Sequence, residues 1–273
     1  MAYVEWLRVR RRLVPFTIVL AVLAALIVLP LVFGHAYKDS HGAGMTIGVG
    51  SGPGRPAPDA LHDLTAQWHV PLSALFGVAA VLCLIFATTL GTSLNAAHES
   101  LNLAFTRPVS RERLALMYFG VDAAAIVACF AVSLSIVCFV PFLALGLLDR
   151  VYLDGDAPLA AVFAIGASVM LYGVLQAATA WARGSTALIV GFAWPVFVIA
   201  SIPGTPPFGP IAGGVLAIVR FLDPLVYLRT ASAYVALPLG LGAGPLVTAT
   251  VTVWAIGIAG CALATFEWRR LEV

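Results

Sequence analysis

Charge is scarce in this sequence. Acidic and basic side chains together make up 10% of its 273 residues, against roughly a quarter in an ordinary soluble domain. Lysine is nearly missing: Lys38 stands alone and is followed by Asp39. A phosphate-cradling loop needs Gly-x-x-x-x-Gly-Lys-Ser/Thr, so the chain encodes no nucleotide hydrolysis of its own. Cysteine is limited to Cys83, Cys129, Cys138 and Cys261, all within apolar runs. They show no metal-ligand spacing and have no loop partner for a disulfide, and they read as small buried hydrophobes. His-Glu-x-x-His and Cys-x-x-Cys are missing, as is any Ser, His and carboxylate set on one expected face, which removes the familiar hydrolase and metal-centre classes. A net charge of +2 offers no footprint for nucleic acid.

What the chain has instead is hydrophobicity, at 61% of residues. A helix needs about 20 apolar residues to cross about 30 Å of hydrocarbon. Six runs qualify: Leu13 to Phe33, Pro71 to Leu94, Leu114 to Leu148, Leu159 to Ala182, Ser185 to Ile202 and Leu246 to Phe266. The expected fold is an all-α polytopic membrane protein with six transmembrane helices in one domain, residues 1–273. The third run is too long for one perpendicular span, which predicts a tilt or a bend near Pro141. The fifth is short and carries Pro195.

Arginine placement sets the orientation, because basic residues accumulate on the cytoplasmic side. With the N-terminus inside, the inner segments hold Arg8, Arg10, Arg11, Arg12, Arg107, Arg111, Arg113, Arg183, Arg269 and Arg270. Lys38, Arg55, Arg150, Arg220 and Arg229 fall outside. Both termini are then cytoplasmic, as six spans require. The N-terminal apolar run is too long for a signal h-region and no small-residue cleavage site follows it, so it reads as an uncleaved anchor.

The outer segment 34–70 is rich in glycine and proline through Pro58, which predicts an irregular loop. It continues into a short interfacial helix over Asp59 to Val70, with Trp68 at the aromatic belt. In the outer segment 203–245, Arg220, Asp223 and Pro224 interrupt an otherwise apolar stretch. The pattern predicts two short re-entrant helices before the last span, Gly209 to Leu222 and Pro224 to Ala233, with Asp223 capping the second and Pro224 at its first position.

Polar residues inside spans are expensive and face protein or a water-filled cavity. Ser168, Tyr172, Gln176 and Thr179 share one arc of the fourth run and are candidates for a translocation path. Helix-to-helix hydrogen bonding is the competing account. Asp122 lies about two turns into the third run, as a proton relay or as the partner of Arg111, Arg113 or Tyr118. His35, His41, His62 and His69 cluster in the first outer loop beside Asp39, Asp59 and Asp63 but match no compact ligand motif, and no metal site is assigned.

Between the second and third runs lies a polar island, Glu99 to Arg113. Ser93 to Phe105 has the makings of a short helix, Pro108 stops it, and Ser110 offers an N-cap for the third span. Read plainly, this is a solvated turn. The stretch Arg107-Pro108-Val109-Ser110-Arg111-Glu112-Arg113-Leu114 running into a long span also resembles the first intracellular loop of the type-2 ABC exporter permeases. Similar to that family too are a short amphipathic N-terminal segment, residues 1–12, with Tyr3, Trp6 and Leu7, a tight turn at Ala182 to Ala187, the outer re-entrant pair, and the basic end at Trp268 to Arg270. One departure is that Met117 and Tyr118 stand where the family commonly has Gly-Lys. The resemblance implies a transmembrane permease subunit of an exporter in the bacterial cytoplasmic (inner) membrane. The loop 93–113 would carry the coupling helix, with His98, Glu99, Leu101, Asn102, Phe105, Arg107 and Arg111 contacting a separate ABC ATP-binding subunit. That subunit would bind ATP and Mg, this chain would bind no cofactor, and a second permease copy or homologue would complete the path. A non-transporting membrane scaffold or assembly factor is the alternative.

Overall fold

A computed structural model describes residues 2–41, 70–91, 111–144, 146, 148, 151–182, 186–202, 210–235 and 244–269. The loop 92–110, with His98, Glu99, Leu101, Asn102, Phe105 and Arg107, lies outside the described residues, as do Trp68, His62 and His69. Helix dominates: α1 (Ala2–His41), α2 (Leu72–Gly91), α3 (Arg111–Ser133), a π-helical segment (Leu134–Phe139), α4 (Val140–Ala144), α5 (Ala157–Trp181), α6 (Thr186–Ser201), α7 (Pro210–Phe221), α8 (Pro224–Val235) and α9 (Gly244–Arg269). Among the described residues four stretches are long and apolar enough to cross a membrane: Leu72–Gly91, Ala115–Ala144, Ala157–Trp181 and Gly244–Glu267. The chain is thus built as a multi-pass membrane protein. Two shorter apolar helices, Ala187–Ser201 and Ile211–Phe221, accompany them.

Helix α1 differs from its expected outline. The N-terminal segment and the first apolar run form one continuous helix of 40 residues that reaches His41, about 60 Å at 1.5 Å per residue. His35 and His41 therefore belong to its last turns, where the sequence predicts an irregular stretch from Gly34. The third run behaves as its length demands. Pro141 has no amide hydrogen, and its ring clashes with the carbonyl four residues back. The helix widens just before it, with the Val140 amide donating to the Ser135 carbonyl, five residues back. Gly146, at φ 65°, closes the turn that follows.

At one end of the bundle the chain makes a two-residue parallel bridge, β1 (Val70–Pro71) with β2 (Val151–Tyr152), in register Val70 to Val151. Beside it the Asp154 carboxylate accepts from the Ser73 amide at 3.1 Å, which satisfies one of the donors that the first turn of α2 cannot pair internally. Phe76 and Phe130 meet at 5.7 Å between centroids, and Phe16 and Phe86 at 5.3 Å, so aromatic packing joins α1, α2 and α3. The Cys83 thiol donates to the Ile126 carbonyl at 3.3 Å, and Cys83, Cys129 and Cys138 are buried among the packed side chains.

Helix α5 is the axle, with 67% of its most apolar window buried against 22% for α9. The two pack at backbone contact. A Cβ on Gly173 would meet the Gly257 carbonyl oxygen at 2.3 Å, and one on Gly260 would meet the Gly173 carbonyl oxygen at 2.6 Å. Trp254 sits further along the seam, where its Nε1 donates to the Val162 carbonyl at 3.1 Å. Contacts advance together along both helices, from Val162 with Trp254 to Gly173 with Gly260, so α5 and α9 run parallel. The chain between them must therefore return the length of the bundle.

Part of that return is α6, a 16-residue helix with Pro195 inside it. The ring clash of Pro195 falls on the carbonyl of Gly191, a residue with no side chain to add to the crowding. Helices α7 and α8 hold the far end of α6: Arg220 Nε donates to the Ala200 carbonyl at 3.0 Å and Arg229 Nη1 to the Ser201 carbonyl at 2.5 Å. Cations on C-terminal carbonyls suit both the unpaired acceptors and the helix dipole. Asp223 caps α8 as its sequence position implies, accepting from the Leu225 amide at 2.9 Å, with Pro224 as the first residue of the helix.

Two outcomes follow from this packing. Gly260→Val forces α5 and α9 apart and lowers stability by about 1–3 kcal/mol, read as thermal unfolding in detergent, whereas Gly77→Ala, with open space around it, leaves the transition in place. Burial pushes the Asp223 carboxyl up to about 6 from 3.8 despite its backbone hydrogen bonds. The folded state then holds the proton more tightly than the unfolded chain, so this group's stabilisation is present below about pH 4, is lost as pH rises towards 6, and changes no further above that. Asp223→Asn keeps the cap acceptor and removes that slope; identical pH profiles for the two proteins would contradict the assignment.

Candidate functional site

The polar residues of the spans converge at the opposite end of the bundle from β1 and β2. Asp122 on α3 is fully buried, where an isolated carboxylate is prohibitively costly. Two groups compensate it: Arg8 of α1 forms an ion pair at 2.7 Å to Oδ1, and the Tyr172 hydroxyl of α5 donates to Oδ2 at 2.8 Å. The Arg8 guanidinium also lies 4.8 Å from the centroid of the Tyr118 ring, a cation–π contact that offsets part of its own desolvation. Phe119 meets Tyr172 edge-on at 6.2 Å. Three helices are thus tied to one carboxylate.

A second set of bonds runs alongside. Carbonyls at the end of a helix have no partner within it, and at the end of α2 each of three takes a side chain from another helix. Arg12 donates to the Thr89 carbonyl. Gln176 Nε2 donates to Leu90 at 3.2 Å, and the Thr179 hydroxyl contacts Gly91 at 3.3 Å. Gly91 permits this approach, because a Cβ there would stand 2.7 Å from that of Leu175.

The four-residue arc expected on α5 is therefore real and entirely inside the protein: Ser168, Tyr172, Gln176 and Thr179 are all buried. Tyr172, Gln176 and Thr179 bond across to neighbouring helices, while Ser168 turns its hydroxyl back to the Ala164 carbonyl at 3.3 Å. Asp122 joins the arc through Tyr172. Its ion pair comes from Arg8, a residue that sequence reasoning treated only as a topogenic charge. The signal was present in the four-residue spacing of Arg8 and Arg12, which sets both on one side of α1 around the buried Val9. Arg113 is exposed at the start of α3. Among the described residues no group of three or more His, Cys, Asp or Glu is arranged to hold a metal ion.

Chemically, the arrangement is a clamp. The carboxylate is neutralised by a guanidinium and oriented by a phenol, in a chain whose six apolar runs hold no second acid or histidine to pass a proton onward. No protein-family model matches the chain, and no curated protein or solved structure is significantly similar to it.

Removing one member of the buried pair is far costlier than removing both. Arg8→Met removes the guanidinium that neutralises Asp122 and costs about 3–5 kcal/mol, while adding Asp122→Leu to it restores most of that loss. Thermal unfolding of the two single variants and the double variant in detergent measures the difference. Additive losses would show that the two side chains do not interact.

Proposed function

We propose that this chain is the transmembrane permease subunit of an ATP-driven exporter of the type-2 ABC class, working in the bacterial cytoplasmic membrane beside a separate ATP-binding subunit. The observation that carries the reading is the Arg107 to Leu114 motif between two long apolar helices. It runs into the start of α3, at Arg111, so Arg111 and Arg113 belong to a helix that is itself clamped to α1 and α5 through Asp122. A push on the 93–113 loop would reach the bundle through that connection.

Packing directions support six crossings with both termini on one face. Arg12 at the start of α1 meets the end of α2, the end of α5 meets it too, and α9 runs parallel to α5. In this topology α6 is the fifth crossing, α7 and α8 are the outer re-entrant pair, and the end that holds Asp122 is cytoplasmic. Because Tyr172, Gln176 and Thr179 of the α5 arc are spent on bonds between helices, the path for cargo lies along a surface shared with a second permease copy or homologue. The arc is the frame behind it. Nucleotide and Mg belong to the partner.

The closed interior also favours a second reading, in which the chain is a membrane scaffold and loop 93–113 only a turn. One experiment separates the two: the tagged chain is solubilised from native membranes and its co-purifying proteins are identified. A co-purifying ATP-binding subunit that is lost in Glu99→Arg and Arg107→Glu, with the unfolding temperature unchanged, is the expected result. Recovery without any nucleotide-binding partner, while a known permease carried through the same procedure keeps its ATPase, would leave the scaffold.

A further inference from the structure

Helix α1 divides its arginines between two faces. Arg8 and Arg12, four residues apart, turn towards the bundle, where they bond Asp122 and the Thr89 carbonyl. Arg10 and Arg11 are exposed, and the same exposed face continues as an apolar stripe through Val14, Ile18, Val22, Leu26 and Leu29. Arg10, Val14, Ile18, Val22 and Leu26 follow one another at four-residue intervals, a row that winds about 40° per step round the helix, and all five are exposed. From Val14 to Leu29 the stripe rises about 22 Å, and Arg10 stands about 6 Å beyond its end. Trp6, a further turn out on that side, is 43% exposed and offers an amphipathic ring suited to the headgroup layer.

We propose that this end of α1 is an anionic-phospholipid site, in which Arg10 and Arg11 hold the headgroup phosphates of lipids whose acyl chains cover the stripe. The occupant follows from register and charge. A side chain one turn past the last hydrocarbon-facing residue lies at headgroup depth, and a guanidinium there pairs with phosphate in a bidentate geometry that zwitterionic headgroups largely self-neutralise. Both arginines are exposed, and the clamp among the described residues employs the other two. The site belongs to the membrane class of the chain and does not depend on the exporter reading.

The test compares lipid retention in detergent-solubilised protein by native mass spectrometry after equilibration with equal amounts of phosphatidylglycerol and phosphatidylcholine. Wild type is expected to retain phosphatidylglycerol preferentially. Arg10→Gln/Arg11→Gln should lose that preference by about tenfold or more, each basic residue near an anionic surface being worth about a fivefold change. Lys38→Gln/Arg55→Gln, which removes the same charge at Lys38 near the other end of α1 and at position 55, should keep it. Equal loss in both double variants, or none in the first, would overturn the site. A wild-type measurement stands independently of any variant's folding: shortening the screening length from about 10 Å to about 3 Å with salt should abolish the preference, and a salt-insensitive preference would overturn the proposal equally.

Discussion

A single buried carboxylate dictates much of the arrangement around it. Asp122 has no access to solvent, and the desolvation of an ionised carboxyl in an apolar bundle exceeds what any one ordinary contact returns. It is tolerable because a guanidinium and a phenol reach it from two other helices. That requirement holds α1 against α3 at a fixed height and turns α5 so that its polar arc faces inward. Once α5 is so placed, Gln176 and Thr179 fall opposite the open carbonyls of α2, and the small-residue face of α5 is left for α9.

Hydrophobic burial is a weak guide between helices in a bilayer, because lipid tails are as apolar as leucine. The specific contacts here are of the kinds that remain effective there: backbone approach at Gly173, Gly257 and Gly260, side-chain donors on helix-end carbonyls, and the Arg8–Asp122 ion pair. Where such contacts are few, as on the outward faces of α9 and α1, large apolar side chains are exposed and are suited to contact with lipid or another subunit. The proposed division of labour follows the same lines. The interior is a frame, and partners, cargo and lipid meet the periphery.

Several elements were legible because their cause is local. The cap of α8 by Asp223 and the disturbance ahead of Pro141 each depend on a residue's own local chemistry, and both lie at their expected positions. The α5 arc was legible because helical spacing alone puts Ser168, Tyr172, Gln176 and Thr179 on one side. The length of α1 was not, since the glycine at 34 reads as a break but costs a helix only about 1 kcal/mol. Nor was the role of Arg8, since a basic residue before a span has an adequate explanation in topology alone.

Composition and periodicity by themselves determined the membrane class, the apolar runs and the faces on which polar residues gather, because those depend on single residues and their spacing along one helix. Which faces meet was decided only in three dimensions. Arg8 and Asp122 are 114 residues apart, Gln176 and Leu90 are 86 apart, and the parallel pairing of α5 with α9 rests on glycines whose value appears only when a second backbone arrives. Contacts of that range depend on the relative height and rotation of whole helices, which the spacing along any one of them does not contain.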